Sequence, residues 1–231
     1  MKRVVKTSLC TLATSLLMIA SLTAKAATLS LIGGAVDYVP WNWNPSPTAP
    51  GLSVGNTIQT FNAAQAAVGE GIAIDANANI VYTYIGKEAG STNLFAGSDV
   101  RSDSIFPAFL TGFTAPGTTI ATTGSSGLLD FSFVGLGTCC VDPGAFINGG
   151  GSFGFDAGLN LDDSNLGLSL AVAMISPSSA YLMFGDGFGD ADYDDMVVRV
   201  DVSAVPLPAA VWLFGTALIG LVGLGKRRKT A

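Results

Sequence analysis

The sequence predicts an all-β fold, a single β-sandwich or jelly-roll-like domain, flanked by an N-terminal signal peptide and a C-terminal transmembrane helix. Three observations predict it. Short runs alternate apolar and polar residues with a period of two, the pattern of a strand with one buried face. Clusters of Gly, Ser, Thr, Asn and Asp separate these runs, as turns do in sandwiches and barrels. Uncharged apolar stretches stand at both ends of the chain, each beside basic residues. The predicted divisions are 1–26, a signal peptide; 27–203, a β-rich extracytoplasmic passenger; and 204–231, a C-terminal signal.

The first segment has a positive start (Lys2, Arg3, Lys6) and an apolar middle over 9–22. Ala24-Lys25-Ala26 supplies the Ala-x-Ala cleavage signal. The passenger is long enough for one domain with a core of its own. Val39 to Gly51 holds four prolines and predicts an irregular loop. Residues 59–68 predict the one short helix. Strands are predicted over 80–85 and at Leu129, Phe131 and Phe133, with Asp130 and Ser132 facing the other way. Another runs through Leu166, Leu168, Leu170, Val172 and Met174. A strand over 181–184 and a last one with Met196, Val198, Val200 and Val202 on one face complete the set.

Charge narrows the function classes. All 17 acidic residues fall in the passenger, against Lys87, Arg101 and Arg199, which leaves it at −14. Phosphate binding needs basic patches, so nucleic acid is not an expected partner. The chain has no histidine, which removes Ser-His-Asp and Cys-His catalysis and every His-ligated metal. Gly150 to Gly154 spells G-x-S-x-G, and Gly149, Gly151 and Gly154 spell G-x-G-x-x-G, but no helical period follows, so both read as a glycine-rich loop. No catalytic residue is expected.

Cys139 and Cys140 are the only cysteines after the signal peptide. They can form a strained vicinal disulfide, bridge to another molecule or stay reduced. Trp41-Asn42-Trp43 lies in the proline-rich loop, where rings either stack on sugars or cover a core. The sharpest internal motif is Gly185-Asp-Gly-Phe-Gly-Asp190-Ala-Asp192-Tyr-Asp194-Asp195. Asp190, Asp192, Asp194 and Asp195 are candidate ligands for calcium, because clustered carboxylates repel unless a hard cation neutralises them. An EF-hand is not expected, since Asp195 stands where the loop needs Gly and a strand begins at Met196. The alternative is a solvated acidic turn that protects the last strand from edge pairing.

The tail has three parts. Val205-Pro206-Leu207-Pro208 is a stiff hinge, 209–225 is an uncharged run of 17 residues, and Lys226-Arg227-Arg228-Lys229 closes it. As a helix the run reaches roughly 26 Å, against a hydrocarbon core of ~30 Å. The basic cluster stays on the cytoplasmic side and leaves the passenger outside. This order, with Val-Pro-Leu-Pro-Ala-Ala-Val-Trp-Leu-Phe-Gly, resembles the PEP-CTERM sorting signal of Gram-negative bacteria, with Leu207 where the name-giving motif carries Glu. The acidic segment before the last strand also resembles one found in exported bacterial surface proteins with such tails. The resemblance implies a non-enzymatic protein, processed near Val205 to Pro208 by an exosortase-like enzyme. It would sit in the inner membrane first, then reach the cell surface or the matrix, associated with extracellular polysaccharide. Two alternatives remain: a calcium-dependent adhesion or carbohydrate-binding module, and a polysaccharide-active enzyme using paired carboxylates.

Overall fold

The computed structural model describes residues 26–45, 49–88, 92–98, 108–135, 144–154, 167–186, 192–206 and 215–217. Ala26–Ala204 forms one compact unit, and Met1–Lys25 with Val205–Ala231 forms another. Of the second unit, residues 205–206 are exposed and 215–217 are helical. The rest of the expected span 209–225, the basic cluster and most of the signal peptide lie outside the described residues. No helix among the described residues is long and apolar enough to cross a membrane.

The larger unit is all-β, and each strand pair is antiparallel. Its strands in chain order are β1 (Leu29–Ile32), β2 (Ala35–Tyr38), β3 (Thr57–Asn62), β4 (Gly71–Ile74), β5 (Ala78–Gly86), β6 (Asn93–Ala96), β7 (Ala108–Leu110) and β8 (Thr119–Gly124). Then come β9 (Gly127–Leu128), β10 (Ser132–Gly135), β11 (Gly144–Ile147), β12 (Gly151–Gly154), β13 (Ser169–Ser176), β14 (Ser179–Gly185) and β15 (Met196–Ala204). One short helix among the described residues of this unit, α1 (Ala63–Ala67), follows β3. Three sheets result, in the orders β2-β3-β13-β14-β15-β5-β8, β12-β11-β10-β6-β7 and β1-β4-β9.

One hydrophobic core takes side chains from all three sheets. Its centre is aromatic. The register across the five-stranded sheet sets Phe109, Phe95, Phe133 and Phe146 directly opposite one another, and all four are buried. Cross-strand aromatic pairs of this kind stabilise a sheet. Phe133 stacks on Phe184 of β14 at 5.0 Å, and Phe95 meets Tyr82 of β5 edge-on at 4.8 Å. The row therefore packs on the seven-stranded sheet. The Tyr82 hydroxyl is buried there without a hydrogen-bond partner, and burial pushes its pKa well above the ordinary tyrosine range, with Asp130 adding to the effect.

The outer face of the same large sheet carries a second core. Ala171, Ala173, Tyr181, Met183 and Val197 point outward and are covered by Val39, Trp43, Ala49 and Leu52 from the proline-rich segment. The Tyr181 hydroxyl donates to the Pro50 carbonyl at 2.7 Å. Strand β14 is thus buried at every position. Its sequence runs apolar without alternating, as expected of a strand covered on both faces.

Several expectations are corrected. Residues 59–68 are not one helix: Thr57–Asn62 is a strand between β2 and β13, and only Ala63–Ala67 is helical. Asn62 fixes the boundary through a capping box, its Oδ1 accepting from Gln65 N at 2.9 Å while Gln65 Oε1 accepts from Asn62 N at 3.0 Å. The glycine-rich loop at 150–154 is a turn followed by β12, which pairs with β11; Ser152 lies inside β12 and not on a strand-to-helix turn, the place a nucleophile elbow needs. Met174, expected in the core, is 40 % exposed at the end of β13, where the register with β14 shifts between Met174 and Ser176. Ser132, expected on a solvent face, is buried and donates to the Ser98 carbonyl at 3.0 Å. Leu166, Cys139 and Cys140 lie outside the described residues.

A buried asparagine joins two of the sheets. Asn148 accepts from Ile72 N at 3.0 Å and donates to the carbonyls of Ile72 at 2.9 Å and Leu129 at 2.7 Å. Gly71 makes room for it. A Cβ at Gly71, where φ is +155°, would lie 2.1 Å from Asn148 Oδ1.

Candidate metal centre

The β5–β15 pairing builds the site. Gly86 lies opposite Val197, so the residues after β5 run beside those before β15. Glu88 donates its backbone N–H to the Asp194 carbonyl at 2.7 Å, which sets its side chain next to that segment. Tyr193 has a φ of +58°, the one non-glycine residue at positive φ among those described. Such a conformation is strained for a bulky side chain and persists only where the surroundings impose it. Here the Tyr193 ring is buried in the outer core, while Asp192 and Asp194 on either side of it reach Glu88. One carboxylate oxygen from each of Glu88, Asp192 and Asp194 lies within 4.8 Å of the others.

Asp192 and Asp194 are buried, at 4 % and 0 % exposure, and Glu88 is exposed. The proline-rich segment closes the site from the far side. Asn42 Nδ2 donates to Asp192 Oδ2 at 3.1 Å, and Asn44 N donates to Asp194 Oδ2 at 2.5 Å. Asp194 Oδ1 is buried with no hydrogen-bond partner. Burial pushes the Asp194 carboxyl up to about 7 against the bond from Asn44, with the Asp192 and Glu88 charges and contact with the Asp192 carboxyl adding to the rise. A carboxylate kept dry, crowded by two others and left with an orphan oxygen is a group that a cation would satisfy.

The chemistry of the donors fits a hard divalent ion. All three are carboxylates, and oxygen donors suit Ca²⁺ or Mg²⁺. Oxygens on opposite sides of one Ca²⁺ are separated by about 4.6–5.2 Å, twice the usual bond length. Oxygens that all lie within 4.8 Å of one another are close enough to share one such ion. Three carboxylates supply three to six of the six to eight oxygens Ca²⁺ takes, and water can supply the remainder.

Among the expected ligands, Asp192 and Asp194 come together. Asp195 does not join them. Its Oδ2 accepts from Asp186 N at 2.8 Å, and its carbonyl accepts from Asn93 Nδ2 at 3.3 Å, so it closes the β14–β15 connection instead. Asp190 lies outside the described residues. Glu88 was not expected from the sequence, since only the strand pairing reveals it. Of the hinge, Val205 and Pro206 are exposed; Leu207, Pro208, Ala24 and Lys226 to Lys229 lie outside the described residues. The two tryptophans separate: Trp43 is buried in the outer core, and Trp41 is 88 % exposed.

No protein-family model matches the chain, and no curated protein or solved structure matches it either.

Proposed function

We propose that this chain is an exported, non-enzymatic β-sandwich protein whose folded domain is locked by one Ca²⁺ and whose tail directs it to the cell surface or matrix. The observation that carries the cation is the Glu88, Asp192 and Asp194 cluster with its orphan Asp194 oxygen. The sandwich rests on the single core shared by the large sheet and the two smaller ones. Sorting rests on the hinge, the apolar run and Lys226 to Lys229, which together resemble the PEP-CTERM signal. An exosortase-like enzyme is the processing partner on this reading, and extracellular polysaccharide the surroundings of the mature protein. Trp41, exposed and next in the chain to Asn42, which contacts the cluster, favours a second reading as a calcium-dependent adhesion module.

Native mass spectrometry of protein recovered separately from the host's membrane and extracellular fractions tests both parts. The extracellular species should start near Ala27, end between Pro206 and Ala209, and carry one calcium lost on chelation. Protein that keeps Lys226 to Lys229 and occurs only in the membrane would overturn sorting. A mass unchanged by chelation would overturn the cation.

A further inference from the structure

A cavity of about 450 Å³ opens where the three sheets meet, away from the acidic cluster in sequence and in lining. That volume lies within the roughly 300–1,000 Å³ of small-molecule sites. Its floor is apolar, made by the buried Ile74 of β4, Ile80 of β5 and Leu129. Its walls are hydroxylic. Ser98 follows β6, Thr122 stands on β8, and Ser125 and Ser126 form the β8–β9 turn. The exposed carboxylate of Asp130 completes the rim. No Lys or Arg is among the described residues that line the cavity.

One wall atom is unsatisfied. The Ser98 Oγ is buried and has no hydrogen-bond partner. Its backbone carbonyl is already taken by Ser132. A buried hydroxyl without a partner carries a desolvation cost that a ligand's own hydroxyl would remove. Gly124 keeps the wall open over the floor: a Cβ there would lie 2.6 Å from Ile80 Cδ1 and 3.2 Å from Ile74 Cδ1.

We propose that this cavity binds a neutral sugar or polyol. Serine and threonine hydroxyls both donate and accept, as sugar hydroxyls do, so each wall group can pair either way. A carboxylate accepts strongly from ligand hydroxyls and repels anions. Among the described lining residues no basic group offers an anionic ligand a counter-charge. The apolar floor takes the C–H face of a sugar ring, and the hydroxyl walls make a plain hydrocarbon a poor fit. The site would give matrix association a physical basis, but it stands on the cavity and not on sorting or on the cation.

Saturation-transfer NMR on the full chain tests it. The probes are D-glucose, D-galactose, D-mannose, N-acetylglucosamine, cellobiose and glycerol, with phosphate and citrate as competing anions. The spectra are taken with and without calcium, so that loss of the cation and loss of the sugar site read out separately. At least one sugar should show transfer. Ser126→Trp, at an exposed position on the rim, should abolish it; Ser98→Ala should weaken it several-fold, and Asp130→Asn should weaken it too. Near-ultraviolet circular dichroism verifies that each variant is folded. Absence of transfer from every probe, transfer unchanged in Ser126→Trp and Ser98→Ala together, or displacement of the sugar by phosphate or citrate would each overturn the proposal.

Discussion

The backbone N–H of Asn44 donates to Oδ2 of Asp194 at 2.5 Å across 150 residues of sequence. That bond, with Asn42 on Asp192, fastens the proline-rich segment to the acidic cluster. A cation held there stabilises the strap and the sheet together. Calcium at 100 times its Kd should raise folding stability by about 2.7 kcal/mol. Thermal melts with and without calcium should show a rise for the native chain and for Asp186→Asn, and none for Glu88→Gln or Asp194→Asn. A rise that persists in both of the last two variants places the ion elsewhere.

The metal-free protein should lose stability as pH rises. The Asp194 carboxyl stands at about 7 in the fold, above its usual 3.8. A raised acid binds its proton more tightly when folded, so this contribution is complete below the unfolded value and falls away through the window from 3.8 to about 7. Asp194→Asn removes that dependence. The difference in melting temperature between native and variant chains, both metal-free, should therefore shrink or reverse from about pH 5 to about pH 8. A constant difference would refute the assignment.

The two tryptophans should behave oppositely. Trp43 is 8 % exposed and covers the outer core, so Trp43→Ala should cost about 3 kcal/mol in urea unfolding. Trp41 is 88 % exposed, so Trp41→Ala should change stability by less than about 0.5 kcal/mol. Equal costs would mean that both rings pack.

Asn148 should be expensive to remove. Asn148→Ala leaves the N–H and carbonyl of Ile72 and the carbonyl of Leu129 buried and without their side-chain partner. A loss of about 2–3 kcal/mol in denaturant titration is expected. A change under about 0.5 kcal/mol would show that water replaces the amide without loss.

Tyr82→Phe should keep or raise stability, by up to about 1 kcal/mol, because it deletes a buried hydroxyl with no partner and keeps the ring against Phe95. A variant less stable than the native chain by more than about 1 kcal/mol would mean the hydroxyl is hydrogen-bonded in solution.

What the sequence discloses follows from the range of each interaction. Alternation in Met196 to Val202 identified one face of β15, and those residues are in the core. The apolar run over 181–184 also marks β14, without alternation because that strand is buried on both faces, but nothing marks β12, where glycines erase the pattern. The D-x-D spacing found Asp192 and Asp194. It wrongly included Asp195, whose side chain turns away to the backbone of Asp186; successive side chains in an extended chain point to opposite sides. Glu88 was hidden because only the pairing of β5 with β15 brings it there.

The last strand of the domain lies inside its largest sheet, between β14 and β5. A chain ending before Met196 leaves both of those neighbours as raw edges and cannot unite β2-β3-β13-β14 with β5-β8. Assembly from the N-terminus as the chain emerges is therefore blocked for this sheet. Closure waits for the final residues and depends on contacts distant in sequence, which makes folding slow. Damage near residue 200 is thus felt across the whole domain, although it lies a few residues from the domain's end.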